Sequence, residues 1–585
     1  MKKTICCLLT LTLLLSVLAG CGTPAESAVE SAAAGSEGIS MEMPAAQNET
    51  PAVPASAPDA DSAEEEANWD PNLPYGNGKE EDWDPEALVA ETDVSGCPIQ
   101  FPLEETQSLS VWMSIPDMLP QDLPEGMAAH RTFMAMEELT NVKLEWTEIT
   151  TTLAATQFQL MVAGGDYTDM IFNASALYNT GLSGAVEDEV FLPLNDYLEE
   201  YAPRYYRLAT YNEDMYRACT TSNGDFVAFL GFTDKKAYVD TGFVIRQDFL
   251  DRVDMDIPET YEEYHDVLTA FKNELQIEEP MYLPASVAYT NEYLVGGYGI
   301  AGKLFSMPFN ADPWYQVDGE VRYGPVQPEY REYVETMRMW YEEGLYDPEY
   351  LTRSSASIQE LISTNQTGVF NESQDPNFTD IKVAMPYPTL EEGATRHYSL
   401  WNTHTKNANE VFITTACENP EVAVQWLDFH YSDQGYMLFN YGVEGISYEM
   451  VDGEPVFTDL IMNNPNGYSR LDLCYVHKWH QGAYNRDYMA YPAMTEEYVK
   501  EMDVWASNTD GAYVMPPITM TSDEGSTYAN IMSDIQTYVD EMTNRFIMGL
   551  EPMENYDAFV EQILSMDIEA AQEVQQAALD RYNNR

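Results

Sequence analysis

Apolar and polar residues alternate cleanly from Ser108 to Ile115, with Leu109, Val111, Met113 and Ile115 on one face. Ser108, Ser110, Trp112 and Ser114 take the other face, and a period of two predicts a strand. A helix is predicted around Met127 to Leu139, then a second strand over Val142 to Trp146. Another helix runs from about Thr152 to Ala163 and stops at Gly164-Gly165, a helix C-terminal signal. Asp169 to Phe172 reads as a short buried strand. Strand, helix, strand, helix, strand predicts a βαβ arrangement on a parallel sheet.

The alternation continues with different punctuation. Leu182 to Ala202 reads as helix, broken at Leu192-Pro193-Leu194, and Phe226 to Leu230 and Gly242 to Ile245 as strands. Thr260 followed by Glu263 predicts a capping box for the helix that opens at Pro258-Glu259-Thr260-Tyr261. Long helices are predicted over Pro328 to Gly344 and Pro420 to Phe439, with a strand at Val383 to Met385 between them. The tail, Tyr528 to Met548 and Asn555 to Tyr582, is almost all helix. Phe101 to Arg585 is long enough for two domains and a substantial core.

The first hundred residues read differently. Met1-Lys2-Lys3, an apolar stretch from Ile5 to Leu18 and then Leu18-Ala19-Gly20-Cys21 make a secretory signal. The last four residues resemble the bacterial lipobox, which implies that residues 1–20 are a signal peptide and that Cys21 carries lipid. Residues 21–95 are rich in Ala, Ser, Pro and Glu, and predict a disordered acidic tether. Trp69, Tyr75 and Trp83, near its end, are expected to pack onto the folded body. The protein is therefore expected at the cell membrane, lipid-anchored on the extracellular face.

Charge and cysteine narrow the classes further. Ninety-eight acidic residues against 28 basic ones give a net charge of -70, which excludes nucleic acid as a partner. The acidity fits a solvated surface that keeps an exported protein soluble. Cys97, Cys219, Cys417 and Cys474 are widely spaced and form no disulfide framework.

Several ordered segments then converge on one family. They include Ala163-Gly-Gly-Asp166 with Asp169-Met-Ile-Phe172, and Leu192-Pro-Leu-Asn-Asp-Tyr-Leu198 with Tyr201-Ala-Pro203. Phe243-Val-Ile-Arg246, Asn419-Pro420, Trp426-Leu-Asp428, Gly442-Val-Glu-Gly445 and Ala578-Leu-Asp-Arg-Tyr582 follow in order. From Leu109 to Arg585 the chain resembles extracellular solute-binding proteins of family 1, specifically the large lipoproteins serving oligosaccharide ABC importers. Phe249 and Tyr556 depart from it, standing where tryptophan is frequent.

The resemblance implies a two-lobe α/β fold of the type II periplasmic-binding-protein kind, with hinge crossings and a helical C-terminal region. It places lobe 1 at 101–240 plus 398–450 and lobe 2 at 241–397 plus 451–585. The first crossing is expected near Tyr238 to Gly242, the return near Tyr387 to Tyr398, and another close to Met450. The implied function is capture of an oligosaccharide or other small solute, for delivery to ABC permease subunits, by a monomer that performs no chemistry. A secreted glycoside-active enzyme, a peptide receptor and a sensor's co-receptor are the alternatives.

A sugar-binding cleft combines aromatic platforms with amides and carboxylates. Trp401, beside Asn402 and near an inferred crossing, is the leading candidate, followed by Trp479 with Tyr484. Trp112 stands on a small polar strand face, and Asn173 to Tyr178 follow a strand's C-terminal end. Trp314 and Tyr315 read as an exposed loop before the turn Asp318-Gly319. Glu444 stands between glycines, where it either binds hydroxyls or holds a turn. Trp340 and Trp426 lie on apolar helix faces and read as core.

Catalytic and metal signals are thin. Zinc-protease, serine-hydrolase and phosphate-loop motifs are absent, and His477 with His480 lacks a third ligand. Asn508, Asp510 and Gly511 match part of a calcium loop, but Ala506 and Pro517 occupy its first and last ligand positions. No cofactor is expected, and a structural calcium stays open.

Overall fold

Strand β1 (Gln107–Ile115) pairs in parallel with both β2 (Val142–Thr150) and β3 (Met170–Phe172). The intervening helices Arg131–Thr140 and Thr151–Gly164 complete the predicted βαβαβ run. In this computed structural model the described residues are 73–584, apart from 118, 120–122, 175–176, 179, 235–241, 283–293, 301–312, 352–357, 373–380, 398–403, 464–472, 474–475, 478–483 and 486–495. Cys21 and the signal and tether up to residue 72 therefore lie outside the described residues.

β4 (Ala228–Thr233) ends the first passage through this sheet. The chain then builds a second sheet from β5 (Gly242–Arg246), with a separate hairpin of β6 (Trp314–Val317) and β7 (Glu320–Tyr323). β8 (Val369–Glu372) and β9 (Lys382–Ala384) flank β5, both antiparallel to it. β10 (Thr405–Ile413) returns to the first sheet and inserts between β3 and β4, antiparallel to each. The sheet order is β2-β1-β3-β10-β4, and β4's other edge receives β13 (Tyr484–Asn485) in parallel.

Two hydrophobic cores follow from this path. One collects buried residues from Val89 to Phe232 and from Val411 to Tyr448. The other collects them from Phe243 to Tyr387 and from Tyr498 to Leu579. The helices Glu496–Ala506, Ser522–Ile547, Tyr556–Leu564 and Ile568–Asn583 make the C-terminal region of the second lobe helical, as expected. Phe249 and Tyr556, the two departures from tryptophan, are both buried in this core. The lobes also touch beside the sheets, where Ser222 N–H donates to Thr519 Oγ1 at 2.6 Å.

Three boundaries differ from the sequence reading. Residues 73–95 are not spacer throughout. Tyr75 lies against Tyr216 with ring centroids 5.5 Å apart, and helix Pro85–Ala90 is capped by the Asp84 carboxylate. The expected packing of Tyr75 and Trp83 onto the body is present, but local composition missed the ordered helix, because its packing partners are more than a hundred residues away. The crossing expected near Met450 is instead a hairpin, β11 (Tyr448–Val451) with β12 (Glu454–Phe457). Its Tyr448 and Phe457 pack on Tyr441 in the first lobe, and β13 extends the first sheet further on. The second core resumes only at Tyr498. The helix read over Pro420 to Phe439 is two, because the Ser432 hydroxyl accepts from Gly435 N–H and caps a new helix at Asp433.

Candidate functional site

The strand register identifies the edge that matters. β1 to β4 run in one direction, so their carboxyl ends gather on one side of the first sheet. β10 begins on that side, because its Thr405 pairs with Phe232 near the end of β4. The chain leaves for the second lobe just after Thr233 and returns just before His404. Both crossings therefore spring from the carboxyl edge, where open α/β sheets bind ligands.

Asn173 sits on this edge, one residue past β3. Its backbone is left-handed with φ 56°, a conformation asparagine tolerates better than most residues. Its N–H donates to Glu410 O at 2.9 Å, which fixes the residue to β10. The side-chain Oδ1 is buried without a hydrogen-bond partner among the described residues. A buried acceptor left unmatched costs stability, so this atom suits a ligand donor. At the end of β1 and start of the helix after β2, the Thr152 hydroxyl donates to Asp117 at 2.7 Å. That bond holds the Asp117 carboxyl below its usual range.

The other candidates from the sequence divide. Trp401 and Trp479 lie outside the described residues. Tyr484 lies in β13 opposite Phe232, on the same edge. Tyr178 is buried, and its hydroxyl donates to Asp188 at 2.7 Å, with the ring edge-on to Phe158. Burial and that carboxylate push its phenol up, so its polar tip is already engaged. Glu444 is exposed between Gly442 and Gly445, in a turn closed by Gly445 N–H donating to Tyr448 O at 2.7 Å.

Trp112 is 2% exposed and packs edge-on against Phe158 at 5.7 Å. It paired with small polar residues in the sequence, but β1 is a central strand covered on both faces. Trp314 and Tyr315 are not an exposed loop. They form the first strand of the β6–β7 hairpin and are 4% and 3% exposed, against Tyr323 and Tyr513. The C-terminal helix holds that hairpin through Gln576, which accepts from Val321 N–H and donates to Gly319 O. Nothing near Trp314 in sequence marks that partner. Trp340 and Trp426 are fully buried, as read.

On the second lobe, the return crossing is flanked by Arg396, which sequence reasoning passed over, and by Asn508 and Asp510, which it read only as part of a calcium loop. Arg396 is 1% exposed and its guanidinium lies over the Tyr387 ring, 4.4 Å from the centroid. Its N–H donates to Asn508 O, and its carbonyl accepts from Asp510 N–H. Asn508 Nδ2 donates to Tyr387 O at 2.9 Å, while its Oδ1 is buried and unpartnered among the described residues. His397 Nδ1 lies 3.0 Å from the Asp510 carboxylate. The usable signal was scarcity: Arg396 is one of 28 basic residues and stands beside an inferred crossing.

This chemistry is that of binding. Burial raises the thiols of Cys97 and Cys219, and pushes Cys417 up to about 12, which leaves them poor nucleophiles. Among the described residues no three His, Cys, Asp or Glu side chains converge on a metal position. Asp510, the acid of the partial calcium loop, instead accepts from Ala512 N–H and faces His397. The one acid of that partial loop is thus already engaged within the protein.

The fold is that of two-lobe solute-binding proteins. The alginate-binding protein AlgQ2 superposes with TM-score 0.65 at 22% identity, covering 83% of this chain and 100% of its own. An HMO-binding, ABC-transporter-associated solute-binding protein from Bifidobacterium longum infantis gives 0.68 at 18% identity, covering 82% and 99%. The sequence profile of the bacterial extracellular solute-binding proteins matches residues 123–437. The chain belongs to that family, whose members bind solutes rather than transform them. Among curated relatives, the fructooligosaccharide ABC transporter substrate-binding protein FusA of Streptococcus pneumoniae is 23% identical over 59% of this chain. The polygalacturonan/rhamnogalacturonan-binding protein YtcQ of Bacillus subtilis is 20% identical over 58%. The matches span 65% and 66% of those two relatives' own lengths. Lipoprotein LipO of Bacillus subtilis is 23% identical over 73% of this chain and 84% of its own. No helix among the described residues is long and apolar enough to cross a membrane.

Proposed function

We propose that this protein is a lipid-anchored receptor that captures an oligosaccharide between its lobes and delivers it to an ABC importer. The observation that carries the reading is the carboxyl edge of the first sheet. The outward and return crossings leave from it, and Asn173 offers an unmatched buried acceptor there. Sugar hydroxyls are donors of the kind that acceptor lacks. The names of FusA and YtcQ, two oligosaccharide or polysaccharide binders, favour the same ligand class.

In this reading Asn173 and Asn508 contribute hydrogen bonds from opposite lobes, and Trp401 and Trp479 contribute stacking faces. Lobe 1 is residues 75–233 with 404–485, and lobe 2 is 242–397 with 498–584. Cys21 carries the lipid, with LipO as a lipoprotein relative. Calcium is a ligand to be tested rather than a component of the site.

The test is a thermal-shift screen against fructo-, galacturono- and alginate oligosaccharides, peptides and calcium. A ligand at a hundred times its dissociation constant adds about 2.7 kcal/mol, a visible shift in melting point. A shift with one sugar class and no turnover supports the reading. A shift with peptides alone contradicts the ligand class.

A further inference from the structure

We propose that the segment 76–91, between the amino-terminal region and the first lobe, is a clamp on the interlobe hinge. It rests on the two-lobe fold and not on the identity of the solute.

Thr233 and His404 are the first-lobe ends of the outward and return crossings. They are bound to each other: Thr233 N–H donates to His404 O at 2.8 Å, and the Thr233 hydroxyl reaches the same carbonyl at 3.3 Å. The segment then closes over this pair. Trp83 Nε1 donates to the Thr233 carbonyl at 2.9 Å, and His404 Nδ1 donates to the same oxygen at 3.0 Å. The Trp83 ring covers the His404 ring at 4.9 Å between centroids. Glu80 reaches the far side of that imidazole, its carboxylate 2.9 Å from Nε2. One short stretch of chain thus grips the outward and return crossings at their root.

The same stretch is fastened to the first lobe behind the crossings. Gly76 N–H donates to Thr210 O and Gly78 N–H to Tyr211 O, while the Tyr211 hydroxyl returns a bond to Lys79 O. Gly78 is required by this approach, since a Cβ there would lie 2.3 Å from the Tyr211 ring. Tyr211 also supports the Trp83 indole edge-on at 5.1 Å. Arg207 pairs with Glu91 at 2.9 Å at the end of the segment.

The mechanical consequence is specific. With Thr233 and His404 pinned, the lobes pivot beyond these residues and not within β4 or β10. The chain from the proposed anchor joins the body at the hinge, so tethering leaves both lobes free to open and close.

Hydrogen exchange on the full chain tests this without any solute, and so independently of the proposed function. Trp83→Ala is expected to speed exchange about tenfold in peptides covering 228–233 and 405–413, as for loss of one buried hydrogen bond and its ring cover. The peptide covering 142–150, in β2, stays at the wild-type rate. Trp83→Phe, which keeps a ring but not the N–H, falls between. Glu80→Ala, a surface change that preserves folding, speeds only the peptide that begins at Thr405. Wild-type exchange at both crossing ends in Trp83→Ala overturns the clamp. So does a rise spread equally over β1 and β2.

Discussion

At the scale of single residues, the buried pair Arg204 and Asp428 is the clearest determinant of stability. Asp428 is fully buried, accepts from Arg204 and Tyr205 backbone N–H groups, and meets the guanidinium at 2.8 Å. Removing one partner strands the other, so Asp428→Ala is expected to cost about 3 kcal/mol in chemical denaturation. Burial raises its carboxyl from 3.8 to about 6, against the pull of Arg204 and the two N–H groups. A folded value above the unfolded one means that folding takes up a proton between those values. Its contribution is complete below 3.8 and is lost as pH rises through about 6. Denaturation of wild type and Asp428→Asn should therefore differ by an amount that changes across that window and is flat above it. Asn173 gives the matching binding prediction. Asn173→Gly keeps the left-handed backbone and removes the amide, so solute affinity should fall by about 1–3 kcal/mol with little change in melting temperature.

At the scale of elements, local signals were legible wherever partners are close in sequence. The capping box at Thr260 and Glu263 is present with both of its hydrogen bonds, and the helix runs Tyr261–Asn273. Thr260→Ala should lower stability by about 1 kcal/mol, measured by the denaturant midpoint at unchanged m. The βαβαβ run was legible too, because period-two and period-3.6 patterns alternate with clear stops such as Gly165. What the patterns could not carry was distant pairing. β10 enters between β3 and β4 from more than a hundred residues downstream of either, and antiparallel to both. Trp505 is a further case: its indole lies flat on Gly242 and donates to Phe243 O at 2.9 Å, joining a C-terminal helix to β5. A Cβ at Gly242 would sit 2.5 Å from that ring, so Gly242→Ala should cost about 1–3 kcal/mol in thermal or chemical unfolding.

At the scale of the whole molecule, composition described packing more than recognition. The chain has 40 tyrosines, which suit a sugar cleft as well as a core. In the second lobe many of them are core. The Tyr264 hydroxyl donates to Pro386 O, Tyr346 to Met337 O, and Tyr350 to Asn544, each ring buried with its polar tip satisfied. Trp112, Trp314 and Tyr315 share that fate, since a single sequence shows an aromatic residue but not the helix that covers it. The place of Asn173 at the sheet edge was legible, because it follows from the sheet's direction alone. The pairing of Arg396 with Asn508 was not, because the fold that joins them spans more than a hundred residues. In the proposed function the two lobes form a receptor for an oligosaccharide. The most direct measurement is titration calorimetry of the protein with fructo- and galacturono-oligosaccharides, followed by analysis of the recovered sugar. Saturable binding of one sugar class at one site per chain, with that sugar returned intact, is the expected result. Shortened sugar, or no binding heat across the panel beside saturable binding of a peptide, would contradict it.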